Sequence, residues 1–216
     1  MNMKQELQDH LNATLKRVDN KAKEIMKASA QKLIDDKVGA NAIKVGHKLP
    51  DVTLINATNE QINIYDYLKQ GPLIINFYRG AWCPYCNIEL RAYKDLLPAI
   101  KKAGGNLLAI SPELPDTSLS LTEKHDLDFE VLSDINNAYA QKLGLVFKVD
   151  DELLGVYKKF GIDWDEAQGN TNKELPIPAT FVIDIDGSVL LASINTDYTK
   201  RIEPSEVLKV LTANSN

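Results

Sequence analysis

Cys83 and Cys86 are the two cysteines of this 216-residue chain, set as Cys-Pro-Tyr-Cys straight after the apolar run "PLIINFY". Thiols at that spacing can do two-electron chemistry: one sulfur attacks and the other closes a disulfide. The apolar run reads as a strand buried on both faces. Residues 84–102 read as a helix that Gly104-Gly105 ends. Pro84 suits the first helical turn, where its missing N–H would have had no partner. Cys83 therefore falls at the N-cap, beside unpaired N–H groups and the positive end of the helix dipole. In such places a cysteine pKa drops from about 8.5 to somewhere between 3.5 and 7.5. Cys86 shares its face, with roughly 5–6 Å between neighbouring Cβ atoms, so a modest adjustment closes the bridge.

Half a zinc site is the competing use of the same spacing, and it needs two more ligands. Only His10, His47 and His125 are available, and none forms an H-x₃₋₅-H pair. The expectation is no metal and no organic cofactor. His47 and His125 read as exposed loop residues, and Asp163, Asp165 and Glu166 as part of a solvated loop. Trp82 reads as a shield for the sulfurs and Tyr85 as a tuner of their potential. Arg79 reads either as a cation serving the site or as a surface ion pair worth little.

The elements that must position this pair follow from the rest of the chain. With 44% apolar residues, 25% charged and a net charge of −5, it can bury a core and lacks the basic balance of a nucleic-acid binder. No run approaches the roughly 18 apolar residues of a membrane span, and the first residues hold no apolar leader segment. The expected setting is the reducing cytoplasm, where a reactive dithiol fits better than a lone structural disulfide.

Residues 3–37 read as one long helix with a stripe at Leu11, Leu15, Val18, Ala22, Ile25 and Ser29. That stripe serves either a contact with its own domain or a homodimer seam. From Val45 onward strands and helices alternate. Two short strands flank Asn59, buried strands occupy 72–78 and 106–111, and a further strand covers 129–134. A helix runs through Leu143, "LVFKV" is a strand and 150–159 is helical. Residues 161–175 read as a long loop, 179–194 as a hairpin turning at Asp186-Gly187, and 203–211 as the closing helix. This order predicts α/β layers around a mixed sheet, with a helical extension at 1–40 and one domain at 41–216.

The sequence resembles the peroxiredoxin-like group of the AhpC/TSA family, within the thioredoxin superfamily. "VGHKLPDVTL", "NFYRGAWCPYCNIEL", "VLSD" and "IPATFVIDIDG" carry the resemblance, over roughly residues 44–211. It implies a thioredoxin-like fold. Matching Phe77-Tyr78 to the family's "FY" puts Arg79 at a proline, Cys83 at a threonine and Cys86 at the peroxide-attacking cysteine. Glu89 matches the glutamate that follows, and Pro178 stands at the family's arginine. The proline, the threonine and the arginine are thus all replaced. Compared with thioredoxin-like reductases, Trp82, Cys83 and Cys86 match the Trp-Cys-x-x-Cys motif, and Pro178 matches the proline held cis against the dithiol.

The leading expectation is a peroxidase in which Cys86 attacks hydrogen peroxide or an organic hydroperoxide and Cys83 resolves it. A thioredoxin- or glutathione-type thiol then reduces the disulfide. The alternatives are a protein disulfide reductase with Cys83 as nucleophile and a non-enzymatic redox sensor.

Overall fold

A computed structural model of the chain describes residues 2–168 and 171–213. Seven strands form one mixed sheet: β1 (Thr53–Asn56), β2 (Gln61–Asn63), β3 (Leu73–Phe77), β4 (Asn106–Ser111), β5 (Glu130–Ser133), β8 (Ala179–Ile183) and β9 (Val189–Ile194), in the order β2-β1-β5-β4-β3-β8-β9. β4 runs parallel to both β3 and β5, and β8 lies antiparallel to β3. A separate ribbon pairs β6 (Val146–Lys148) with β7 (Glu174–Pro176).

The central strands are apolar throughout because both faces are covered. Along β3, Ile74 faces one core, while Leu73, Ile75 and Phe77 face the other. The first core is closed by α1 (Met3–Arg17), α4 (Pro84–Lys102), α5 (Pro115–His125) and α9 (Pro204–Ala213), through side chains such as Leu7, Leu97, Leu121 and Val207. The second is closed by α3 (Ile64–Leu68), α6 (Ala138–Lys142) and the segment from Ala42 to Leu49.

The N-terminal helix expected over 3–37 is two helices, α1 and α2 (Asn20–Asp35). Val18 and Asp19 are extended, and the Asp19 side chain accepts from the Ala22 N–H at 2.8 Å. Aspartate competes with the helix ladder by capping a new helix, and that breaks the rod. The two halves serve different surfaces. Leu11 joins the core under α1, whereas Val18, Ala22, Ile25 and Met26 pack with α7 (Asp151–Lys159) through Leu153, Val156 and Tyr157. Ser29 donates to Asp150, the N-cap of α7, at 2.7 Å. Most of the stripe thus packs on its own chain, while Leu15 is left exposed.

Within 161–175, the expected loop contains a short α8 (Trp164–Gln168) and β7. Gly169 and Asn170 of that stretch lie outside the described residues. His125 ends α5, and His47 is an exposed turn residue.

Candidate active site

Cys83 is the N-cap of α4 and Pro84 its first residue, as the spacing predicts. The turn leading to it cannot be built without glycine. Gly80 sits at φ +150°, and a Cβ there would meet Trp82 Nε1 at 2.4 Å and Glu113 Oε1 at 2.8 Å. Glu113 Oε2 accepts from the Ala81 N–H at 2.7 Å, and Asn87 Nδ2 donates to the Ala81 carbonyl at 2.8 Å. The loop that carries Arg79 and Trp82 is thereby tied at both peptide faces.

Both cysteines are free thiols and almost fully enclosed, Cys83 at 1% exposure and Cys86 at 0%. Their surroundings differ. Cys83 borders a cavity of about 300 Å³ walled by Trp82, Tyr85, Tyr157, Phe160 and Tyr198, with Val18 at the α1–α2 break. Cys86 lies deeper, one turn into α4. Burial opposes ionisation of Cys83. The Cys86 thiol as hydrogen-bond donor and the charges of Arg79 and Arg201 outweigh that burial and bring Cys83 down to about 6. Burial and the proximity of Cys83 together hold Cys86 well above the ordinary thiol value.

Arg79 is a buried site residue rather than a surface ion pair, at 2% exposure. Its guanidinium carbon lies 4.9 Å from the Trp82 ring centre, 5.4 Å from Tyr157 and 4.6 Å from Tyr198, a cage of three π faces. It also donates to the Tyr157 hydroxyl. Trp82 both packs on this cation and walls the cavity, so it does more than shield sulfur.

Arg201, just before α9, was invisible to sequence reasoning. Its Nη2 stands 3.5 Å from Cys86 Sγ, and its Nε donates to Glu89 Oε2 at 2.5 Å. Burial pushes Glu89 up to about 7 despite the Arg201 charge beside it. Thr180 bridges Glu89 to Asn76, with Thr180 Oγ1 3.5 Å from Glu89 Oε1 and accepting from Asn76 Nδ2 at 3.1 Å. An arginine from a different part of the chain thus stands beside Cys86. No local pattern in "YTKRIEP" marks it.

Pro178 lines a groove beside Arg79, but its expected cis bond is absent: no described peptide bond is cis, and Ile177–Pro178 is trans. Ile177 and Pro178 are the two residues that join β7 to β8. The Ile177 N–H donates to the Leu145 carbonyl at 2.7 Å, in line with the β6–β7 ribbon, and β8 starts at Ala179. Among the described residues, no group of three His, Cys, Asp or Glu side chains is placed to hold a metal. Asp163 caps α8 through the Glu166 N–H at 3.2 Å.

A mixed sheet flanked by helices, with a cysteine pair capping the helix after its central strand, defines a thioredoxin-fold protein carrying a redox-capable dithiol. The AhpC/TSA family profile matches residues 45–192, and the chain belongs to the AhpC/TSA family. It is 31% identical over 105 residues to peroxiredoxin Bcp of Escherichia coli, covering 49% of this chain and 67% of that one. It is 28% identical over 152 residues to the thiol-disulfide oxidoreductase ResA of Geobacillus kaustophilus, covering 68% of each. Among solved structures, peroxidoxin BcpB of Mycobacterium tuberculosis superposes with a TM-score of 0.63 at 22% identity, over 80% of this chain and 98% of that one. His10, Thr14, Val18, Met26, Tyr198 and Arg201 fall outside the family match, yet all but Arg201 line the Cys83 cavity.

Proposed function

We propose that this chain is a thiol peroxidase that cycles Cys83 and Cys86 between dithiol and disulfide, with Cys83 as the attacking sulfur. This reverses the roles that the family alignment suggests for the two cysteines. One observation carries the reversal: Cys83, not Cys86, borders the cavity, and the same sulfur is favoured as thiolate by Arg79 and the helix end. The thiolate attacks one oxygen of the peroxide, the O–O bond breaks, and the other oxygen leaves as water or alcohol after taking a proton. Cys83 becomes a sulfenic acid. The Cys86 sulfur then displaces hydroxide from it, which leaves as water, and the disulfide forms. The extension at 1–40 forms part of the cavity wall, the domain being 41–216. A reactive dithiol fits a reducing compartment such as the cytoplasm, and among the described residues no helix is long and apolar enough to cross a membrane.

A second reading keeps Cys86 as the attacking sulfur. It is favoured by the Arg201 guanidinium at 3.5 Å from Cys86 Sγ, with Glu89 behind it. The protein disulfide reductase reading loses support, because the Ile177 N–H that a substrate strand would need is taken by Leu145.

Single-turnover peroxide consumption by the two serine variants separates these readings. Cys86→Ser is expected to consume one equivalent and hold a sulfenic acid at Cys83, while Cys83→Ser stays inert. The opposite pattern assigns attack to Cys86. Peroxide inertness of both variants and of the native chain removes the peroxidase reading.

A further inference from the structure

Arg79 faces two cavities at once. On one side it borders the pocket that holds Cys83. On the other it lines a groove of about 730 Å³ together with α2, α7 and the β6–β7 ribbon. Three lysines and three aspartates line that groove: Lys32 pairs with Asp36 at 2.6 Å and Lys173 with Asp151 at 2.7 Å, while Lys148, an exposed strand residue, and Asp150, the N-cap of α7, make no ion pair among the described residues. Arg79 differs from these lysines in being buried. Among the described residues no carboxylate lies within ion-pair distance of it, and its Nε has no hydrogen-bond acceptor.

A guanidinium in such a cage stays charged, and a buried charge without a counter-charge is costly. Arg79 and Cys83 line the same pocket, and after the Tyr157 hydroxyl the Cys83 thiolate is the next negative group that favours the Arg79 cation. Formation of the sulfur–sulfur bond removes the thiolate and leaves Arg79 a buried cation lining the groove, with no carboxylate of the described residues in ion-pair distance. Arg201 undergoes no such loss, because Glu89 remains beside it.

From this geometry we infer that the disulfide form takes as its reductant a low-molecular-weight thiol bearing a carboxylate, with Arg79 as the receptor for the negative charge. The inference names the electron donor of the peroxidase cycle, and rests on that reading only for how the disulfide arises. A protein dithiol fits poorly: Cys83 and Cys86 are 1% and 0% exposed, and the strand edge at Ile177 is already bonded.

The steps balance. A thiolate RS⁻ attacks Cys83 Sγ, the Cys83–Cys86 bond breaks, and the Cys86 sulfur leaves with the electron pair beside Arg201. A second RS⁻ attacks the small-thiol sulfur of the mixed disulfide and releases RSSR and the Cys83 thiolate, while Cys86 takes a proton from water. Two small thiols are oxidised and one protein disulfide is reduced. The restored thiolate again neutralises Arg79, so the anionic product is no longer held.

The test uses three thiols of similar size: 3-mercaptopropionate (anionic), 2-mercaptoethanol (neutral) and cysteamine (cationic). The disulfide is prepared with hydrogen peroxide in one arm and with diamide in the other. Reduction rates are compared per thiolate. In the native chain the anionic thiol is expected to outpace the cationic one by about tenfold or more. Arg79→Lys keeps that order, and Arg79→Gln brings the three rates within about twofold of one another. The non-reducing S-methyl derivative of 3-mercaptopropionate is expected to change tryptophan fluorescence in the disulfide form and not in the dithiol form. Absence of the charge order in the native chain overturns the inference. So does its survival in Arg79→Gln, or faster reduction by a thioredoxin-type protein dithiol than by all three small thiols at equal thiolate. A charge order seen after diamide, with no disulfide formed by peroxide, upholds the donor inference and removes the peroxidase reading.

Discussion

Arg201 is 115 positions from Cys86 in sequence and 3.5 Å from its sulfur in space. The same guanidinium meets Glu89 at 2.5 Å, and both side chains are almost fully enclosed, at 3% and 0% exposure. One cation thus serves a carboxylate and a thiol together. Its charge is anchored by Glu89 whether the cysteines are reduced or oxidised, which fits it to hold the Cys86 sulfur as that sulfur departs from a disulfide.

Removing one member of this pair leaves the other charge stranded. Arg201→Met is expected to lower stability by about 3–5 kcal/mol, and the double change with Glu89→Met to recover most of that loss. Urea unfolding measures both. A loss below about 1 kcal/mol in the single variant means that the pair adds nothing beyond a surface contact.

The reactivity of Cys83 should rise through about pH 6 when iodoacetamide alkylation is mapped by peptide mass. In Arg79→Gln the rise is expected to move up by about 1–3 pH units, the usual effect of losing an adjacent opposite charge. An unmoved profile shows that Arg79 does not hold the thiolate.

Glu113 gives a stability signature of the opposite sense to a salt-bridged carboxylate. Burial, opposed only in part by the Ala81 N–H, pushes it from 4.5 up to about 8. Between those values the native chain keeps a proton that the unfolded chain has released, so stability falls as pH rises. The contribution is whole below the unfolded value and lost as pH passes the folded one. Glu113→Gln carries no such proton and keeps an oxygen for Ala81. Its stability relative to the native chain is expected to climb from about pH 4.5 to about pH 8. A flat difference in denaturant midpoints would show Glu113 to be ionised throughout.

Leu7 ties α1 to the sheet domain, at 4% exposure within the first core. Leu7→Ala is expected to cost about 2–5 kcal/mol. An effect under about 0.5 kcal/mol would mean that α1 is docked loosely and that the cavity wall it shares is not fixed.

How much of this was legible depends on range. The strand to Phe77, Cys83 as cap and the helix to Lys102 follow from adjacent residues, and the structure agrees with them almost residue for residue. The break at Asp19 was available in principle, since aspartate is a strong N-cap, but a continuous apolar stripe masks it. Arg79 could be singled out but not placed, because burial of a cation depends on Tyr157 and Tyr198, far along the chain. Arg201 could not be found at all. Its partners, Glu89 and Cys86, lie beyond any local periodicity, and the resemblance directed attention to Pro178. There the Ile177 N–H is tied to Leu145, again a non-local contact.

The distance along the chain between Arg201 and Cys86 also fixes an order of events in folding. β3, α4 and β4 are neighbours in sequence and close short loops, whereas the dithiol's second cation arrives only after β8, β9 and the segment before α9 have docked. Loop closure makes such long-range contacts slow relative to local ones. During refolding the helix signal therefore returns first, and the Arg201 share of the lowered thiol pKa trails it. Until the last segment docks, Cys86 has no guanidinium beside it and Cys83 lacks one of the two arginine charges that lower its pKa.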